Sequence, residues 1–358
     1  MESCSYPFLQ SGELSRYSRQ IRIGEIGTEG QRKIRGASVL VIGAGALGCP
    51  VLQYLSAAGL GTIGILDNDW VDETNLNRQI LYNHKDIGKP KPRVARDKLI
   101  RLNPDVSYKM HFLRFDTTCA LKVLKGYDII VDCTDNFSTR YIINDACVIK
   151  NKPWVYGAVN KFEGQVIVLN YKGGPTLRCI NPDIPHPLEV PSCSDLGVMG
   201  AVAGIIGSLQ AVEVIKIILG SDGVLSGKLL MVSTLDYKFS ITSFERDPVA
   251  SDITEMKDYE DDRFFDKEPV IEITSEELKK ILEKDPGIPL IDLRDPEDNS
   301  DIGFKFIPLP HYDIDSGKEA FMSGKAVVFY CRSGSRSANV IRYVRQKYNL
   351  KNLYSLMI

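Results

Sequence analysis

Short apolar runs alternating with longer mixed stretches set the pattern of the first 160 residues. Ala37–Ile42 (ASVLVI), Thr62–Leu66 (TIGIL) and Tyr127–Val131 (YDIIV) have the length and continuity of strands buried on both faces. Asp105–His111 adds a candidate strand, and Pro153–Tyr156 the start of another. Residues 49–58 have the length of a helix, and residues 13–35 read as two short helical pieces broken by glycines. This alternation predicts an α/β class with a mostly parallel sheet and helices on both faces.

After Asn160 the pattern changes. Gly164–Leu169 and Lys228–Val232 read as strands near a sheet edge, Phe239–Phe244 alternates as a strand does, and Gly197–Leu219 reads as one helix rich in small residues. Residues 245–268 carry ten acidic against four basic side chains and few apolar ones, which predicts a solvated linker. Ser275–Glu283 then reads as a helix with Thr274 as its cap, and Glu277 completes a capping box. Pro289–Leu293 and Ala326–Tyr330 are apolar strands, and Asn339–Tyr348 is a helix. The expected division is 1–245, a linker at 246–268, and a small α/β domain at 269–358.

Charge changes this picture little. With 46 acidic and 44 basic residues, the chain has no basic excess for nucleic acid. The stretch from Met1 to Gly12 lacks a basic region followed by an apolar run, so no secretory leader is expected there. No membrane span is expected either, because the most apolar stretch contains Glu213 and Lys216. Eight scattered cysteines without a C-x-x-C pair fit a reducing cytoplasm.

Candidate chemistry begins at Gly43, Gly45 and Gly48, a G-x-G-x-x-G loop between a predicted strand and helix. Such a loop turns tightly and lets a phosphate approach backbone N–H groups. Asp67 ends the next strand and suits ribose hydroxyls. Taken alone, this is a dinucleotide fingerprint, and an NAD-dependent oxidoreductase is one reading. Asp69, Asn75, Asn77, Arg78, Gln79 and Lys91 crowd the following segment, and Arg16 and Arg19 could join them. Transfer of AMP from ATP calls for such cations and a magnesium ligand, because charge develops on phosphorus and pyrophosphate.

The stretches R16-Y-S-R19-Q, GAGALG at 43–48, D67-N-D69, N75-L-N-R78-Q79, G88-K-P-K91 and C133-T-D135-N resemble the ubiquitin-activating superfamily. Within it they are similar to the MoeB/ThiF group, over about residues 12–245. The resemblance implies a Rossmann-like nucleotide-binding domain that adenylates the C-terminal glycine of a ubiquitin-like sulfur-carrier protein ending in Gly-Gly. It implies that Gly43–Gly48 lines ATP, Asp67 and Asp69 lie beside the nucleotide with Asp67 on the ribose, and Arg78 and Lys91 contact phosphates. Asn75 and Gln79 would support the site, and Asp135 would bind Mg2+. Arg19 would come from the other subunit of a homodimer. The group usually binds a structural zinc through two C-x-x-C pairs; these fall on Thr176 and Cys179, and on Ala250 and Ile253. With one thiolate left, no structural zinc is expected. Cys193 is buried structure or, by the same resemblance, a thiol that joins the carrier.

C331-R-S-G-S-R336 follows one of the strands of the second unit and precedes a helix. A loop of this kind turns successive N–H groups toward a thiolate or persulfide. It is one residue shorter than a cysteine-phosphatase loop, which suits sulfur better than phosphate. Together with L290-I-D292-L-R294-D-P-E297 and G303-F-K-F-I-P308, this resembles the rhodanese family, with an abbreviated end at Ile358. The resemblance implies a persulfide on Cys331, cradled by Arg332, Ser333, Gly334, Ser335 and Arg336. A cysteine desulfurase is the implied donor, and a carrier thiocarboxylate is the product. Thiamin or molybdopterin biosynthesis and tRNA thiolation all use such carriers. A nucleotide-holding module without catalysis is the remaining alternative.

Overall fold

The structure is a computed structural model that describes residues 9, 11–185, 197–257, 259, 268–294, 303–322, 326–332 and 334–357. Cys193, His186 and Ser333 lie outside them, as does the side chain of Ser335. The chain divides into two compact units, Met1–Ile184 with Leu196–Glu260, and Pro185–Asp195 with Asp261–Ile358.

Three short helices, α1 (Ser11–Arg16), α2 (Ser18–Ile21) and α3 (Gly27–Gly36), open the first unit. Its strands are β1 (Ser38–Ile42), β2 (Thr62–Asp67), β3 (Ser107–Phe112), β4 (Ile129–Asp132), β5 (Trp154–Asn160), β6 (Glu163–Leu169), β7 (Lys228–Ser233) and β8 (Lys238–Ser243). They form one sheet in the order β3-β2-β1-β4-β5-β6-β7-β8. Pairing is parallel from β3 to β5 and antiparallel from β5 to β8. The apolar runs at β1, β2 and β4 are buried because α4 (Gly48–Ala57), α5 (Lys91–Leu102), α6 (Ala120–Leu124) and α7 (Phe137–Ile149) cover the sheet. β1 lies between β2 and β4, where the strand order reverses. In open α/β sheets, ligands bind outside the carboxyl ends of the strands at such a point.

Helix α8 (Gly200–Leu219) is long and apolar enough to cross a membrane by length and composition. Here it packs against α4, β5 and β6. At Gly207 a Cβ would come within 2.5 Å of Pro50, so glycine is what permits that approach. Gln210 and Glu213 are buried and hydrogen-bonded, Gln210 Nε2 to the Asp132 carbonyl at 2.7 Å and Glu213 Oε2 from the Leu225 amide at 2.8 Å.

Beyond β8 the described residues 245–257 are mostly exposed, as expected of a solvated linker, but several side chains tie this stretch and Tyr259 to the first unit. Ser251 is buried, Arg246 donates to the Gly174 carbonyl at 2.7 Å, and the Tyr259 hydroxyl bonds to Asp145. A few polar anchors hold this acidic segment, and average composition does not register them.

In the second unit, β9 (Ile271–Thr274), β10 (Leu290–Asp292), β11 (Ile307–Pro308), β12 (Val327–Tyr330) and β13 (Leu353–Met357) form a parallel sheet in the order β11-β10-β12-β13-β9. Helices α9 (Ser275–Lys284), α10 (Glu319–Met322) and α11 (Ser335–Tyr348) complete it. The Thr274–Glu277 capping box is present at α9. The segment read as an abbreviated end holds β13, an interior strand.

Asp315 ties a loop of this unit to α11. It accepts from Lys347 Nζ at 2.8 Å, from the Tyr348 hydroxyl at 2.7 Å and from the Tyr343 hydroxyl. Partial burial opposes its ionisation, but these donors outweigh burial and hold the carboxyl well below the usual carboxylate range. A depressed folded-state pKa adds stability above the unfolded value of about 3.9, lost as pH falls through the folded value. Asp315→Asn is expected to destabilise this unit at pH 7 by about 1 kcal/mol, a modest figure because the pair is partly exposed. The difference from wild type should shrink as pH drops below about 4. Urea melts across pH check this; identical melts at pH 7 would remove Asp315 from the role.

Candidate nucleotide and sulfur sites

The glycine loop runs from β1 into α4. Gly43 has φ of +95°, and a Cβ there would meet the Cys133 carbonyl at 2.5 Å. At Gly48 a Cβ would meet the Gly43 carbonyl at 2.1 Å. Both glycines are therefore required by the loop's own packing. Gly45 differs: the nearest atom to its ideal Cβ is Gln79 Nε2 at 3.6 Å, an ordinary contact. Space therefore remains beside its backbone.

Asp67 faces this loop from the end of β2. Its Oδ2 accepts from the Ala44 amide at 2.7 Å and its Oδ1 from the Asp69 amide at 2.8 Å. Two backbone donors fix the carboxylate's orientation and leave lone pairs for hydroxyls. Burial pushes its pKa up, against the opposing charge of Lys91. Lys91, at the start of α5, is itself buried and pairs with Asp69 at 3.1 Å. That arrangement holds a cation at the strand edge without leaving it unpaired.

Asn75 closes a short 3₁₀ turn at Glu73–Asn75. Arg78 follows, with Nη1 donating to the Thr74 carbonyl at 2.9 Å and to Asn77 Oδ1 at 3.0 Å. The start of α8 lies against this segment, for a Cβ at Gly200 would meet the Asn77 carbonyl at 2.6 Å. Gln79 is buried and its Oε1 has no hydrogen-bond partner. A buried acceptor without a donor is costly unless a ligand supplies one. Tyr82, which sequence reasoning missed, donates from its buried hydroxyl to the Ala44 carbonyl at 2.7 Å. It ties the Arg78 segment to the glycine loop.

Asp135 is exposed on the loop after β4. The loop is held from below by Asp132, also missed as a positioning group. Buried Asp132 accepts from the Thr134 amide at 2.8 Å and hydroxyl at 2.6 Å, and Arg140 lies 3.5 Å from its other oxygen. Burial raises the Asp132 pKa, against the charge of Arg140. Magnesium usually takes one or two carboxylates together with substrate phosphates. The single exposed carboxylate of Asp135 fits that donor set only with a nucleotide beside it.

Arg16 does not join this cluster. It donates to the Leu102 carbonyl at 3.2 Å and lies 3.8 Å from Asp105. Asp105 precedes β3, at the opposite end of the sheet, so the sequence expectation for Arg16 is corrected. Arg19 is exposed on α2.

In the second unit, Cys331 is buried at the carboxyl end of β12. The Ser337 amide, in the first turn of α11, donates to its Sγ at 3.3 Å, and the Ser337 hydroxyl lies at 3.5 Å. Gly334 has φ of +76° and starts that helix. Ser337 also bonds to Ser355 of β13 at 2.6 Å. Arg332 and Arg336 are exposed.

Residues 17–250 match the ThiF family. The chain belongs to the ThiF family. It is 38% identical over 351 residues to a probable adenylyltransferase/sulfurtransferase MoeZ of Mycobacterium tuberculosis, covering 94% of this chain and 90% of that one. It is 44% identical over 241 residues to a sulfur carrier protein adenylyltransferase of Thermus thermophilus, covering 66% and 89%. The crystal structure of E. coli MccB with ATP shares the fold, with a TM-score of 0.59 and 24% identity over 69% of this chain and 75% of that one. This ThiF-family member thus carries a Rossmann-like α/β unit and a second, smaller α/β unit.

Proposed function

We propose that this ThiF-family chain uses ATP to adenylate the C-terminal glycine of a ubiquitin-like sulfur-carrier protein, and that its second unit supplies the sulfur. One observation carries the reading. Asp67, Arg78, Lys91 and Asp135 all stand on loops or ends at the carboxyl edge of the sheet where the strand order reverses. The carrier's carboxylate attacks the α-phosphorus, the bond to the β-phosphate oxygen breaks, and pyrophosphate leaves. Asp67 holds the ribose, while Arg78 and Lys91 offset the charge that grows on the phosphates. Asp135 would hold magnesium together with the nucleotide, and the ion would supply further charge neutralisation there. A persulfide on Cys331 then attacks the acyl adenylate and AMP leaves; a second thiol releases the thiocarboxylate and is left in a disulfide.

A protein substrate accords with the exposed apolar side chains Leu235, Tyr237, Phe239 and Ile241 on and before β8. Free cysteines at Cys49, Cys119, Cys133, Cys147, Cys179 and Cys331 accord with a reducing compartment. ATP–pyrophosphate exchange that depends on a carrier ending in Gly-Gly tests the function. Exchange absent with every such carrier, or hydride transfer to NAD, would reject it.

The proposed active species is a homodimer, because Arg19 is exposed on α2 and is read as serving the neighbouring subunit. Sedimentation is expected to show a dimer, and Arg19→Ala to impair exchange. A fully active monomer at micromolar concentration would end this part of the proposal.

A further inference from the structure

Residues 175–183 and 246–259 lie far apart in sequence, yet polar side chains pin them together in the first unit. Cys179 Sγ lies 3.2 Å from Ser251 Oγ and 3.4 Å from Thr176 Oγ1, and those two oxygens are 3.5 Å apart. The amides of Thr176 and Asp247 also donate to this sulfur, each at 3.3 Å. Thr176 and Ser251 are buried. Beside this triangle, Arg178 grips buried Asp145 with two bonds of 3.1 Å. The Tyr259 hydroxyl bonds to both of them, and the Arg178 guanidinium stacks over Tyr141 and Tyr259 at 5.0 and 5.5 Å.

This is where the resemblance implies a structural zinc, and the residues do not fit one. Zinc in a structural site takes four thiolate or imidazole ligands. Here the four positions hold Thr176, Cys179, Ala250 and Ile253. Asp247 Oδ1 accepts from the Val249 and Ala250 amides, and one carboxylate beside Cys179 would still leave two ligand positions unfilled. Among the described residues, no group of three His, Cys, Asp or Glu could hold a metal. The edges of 3.2 to 3.5 Å join one sulfur to two neutral hydroxyl oxygens and are hydrogen-bond lengths, and a neutral serine or threonine hydroxyl does not replace a thiolate or imidazole on structural zinc.

We propose that a metal-free clasp closes this part of the unit, formed by the Thr176–Cys179–Ser251 hydrogen bonds and the Arg178–Asp145–Tyr259 cluster. The amides and hydroxyls that face Cys179 stabilise its sulfur with no cation present. Burial opposes ionisation of this thiol, but the hydrogen bonds from Ser251, Thr176 and Asp247 outweigh it and hold the thiol below its ordinary value. The clasp also reaches the site. Asp145 belongs to α7, the helix that begins just after Asp135, so the clasp fixes the far end of the helix under the Asp135 loop.

The test uses the full chain, grown with added zinc and purified without chelator. Metal analysis is expected to find well under one zinc per chain, and EDTA to leave the thermal midpoint unchanged. Ser251→Ala and Cys179→Ala are each expected to lower the first unit's midpoint by about 2–4 °C. The double variant should lose little more than the larger single, because both changes break one network. A stoichiometric zinc in the wild type overturns the proposal. So do single variants that melt like wild type, or effects that simply add. None of these measurements depends on activity, so their failure is separate from any failure of the adenylation reading.

Discussion

Arg78→Ala is expected to slow ATP–pyrophosphate exchange by roughly 10²–10³-fold, the scale seen when a preorganised charge or donor is removed from a transition state. The side chain is half-buried and aimed by two bonds from Nη1, to the Thr74 carbonyl and Asn77 Oδ1. Both acceptors sit on exposed residues, so water can replace the lost bonds and the fold should survive. Arg78→Lys should recover only part of the loss, because an ammonium cannot keep the same anchoring while also reaching phosphate with a planar fork. Asp135→Ala should behave similarly, since that carboxylate is exposed and supports no packing. Exchange kinetics paired with thermal melts separate the chemistry from the fold. Native exchange rates in folded Arg78→Ala would remove Arg78 from the phosphate role.

Cys331→Ala is expected to keep exchange at the wild-type rate and to lose thiosulfate sulfurtransferase activity altogether. Cys331 and the proposed adenylation groups lie in different compact units, so the substitution leaves those groups untouched. On the proposed reading this thiol carries the sulfur, and alanine leaves nothing to replace it. The Ser337 amide, donating to Sγ at 3.3 Å from the first turn of α11, is placed to steady charge on a thiolate or persulfide. Thiocarboxylate formation should slow as well. After incubation with a sulfur donor, mass spectrometry should place one added sulfur atom on Cys331. Its absence there and presence on Cys193 would assign the sulfur-bearing role to the other thiol.

Much of the scaffold of the candidate nucleotide site was legible because its signals are local. A strand, a G-x-G-x-x-G loop and a helix are adjacent in sequence, and the reading of Gly43, Gly48 and Asp67 needed no tertiary knowledge. Tyr82 and Asp132 were not legible as positioning groups. Each acts through a backbone partner that only the fold brings near, Ala44 for Tyr82 and the Thr134 loop for Asp132. Arg16 was misread because proximity to Arg19 in sequence says nothing about which end of the sheet a short helix meets. The anchors within the acidic linker were hidden for a related reason: Arg246, Ser251 and Tyr259 do the anchoring, and the ten acidic residues of 245–268 conceal them. β9 and β13 escaped notice because IEIT and LYSLM are short and mixed; β13 becomes a strand by lying between β12 and β9, and β9 by pairing with β13.

That last pairing has a consequence for how the second unit is made. Ile271 of β9 pairs with Tyr354 of β13, and among the described residues β13 is the sole neighbour of β9 in the sheet. A ribosome that has released β9, β10 and β12 has therefore released a strand with no partner. Closing a loop of that span is entropically slow, and parallel pairing rewards it only at the end. Until residues 353–357 emerge, β9 presents free N–H and C=O groups to any neighbouring chain. The unit should therefore complete its folding in one late step, and release of a nascent chain that stops before Leu353 should yield aggregation-prone product.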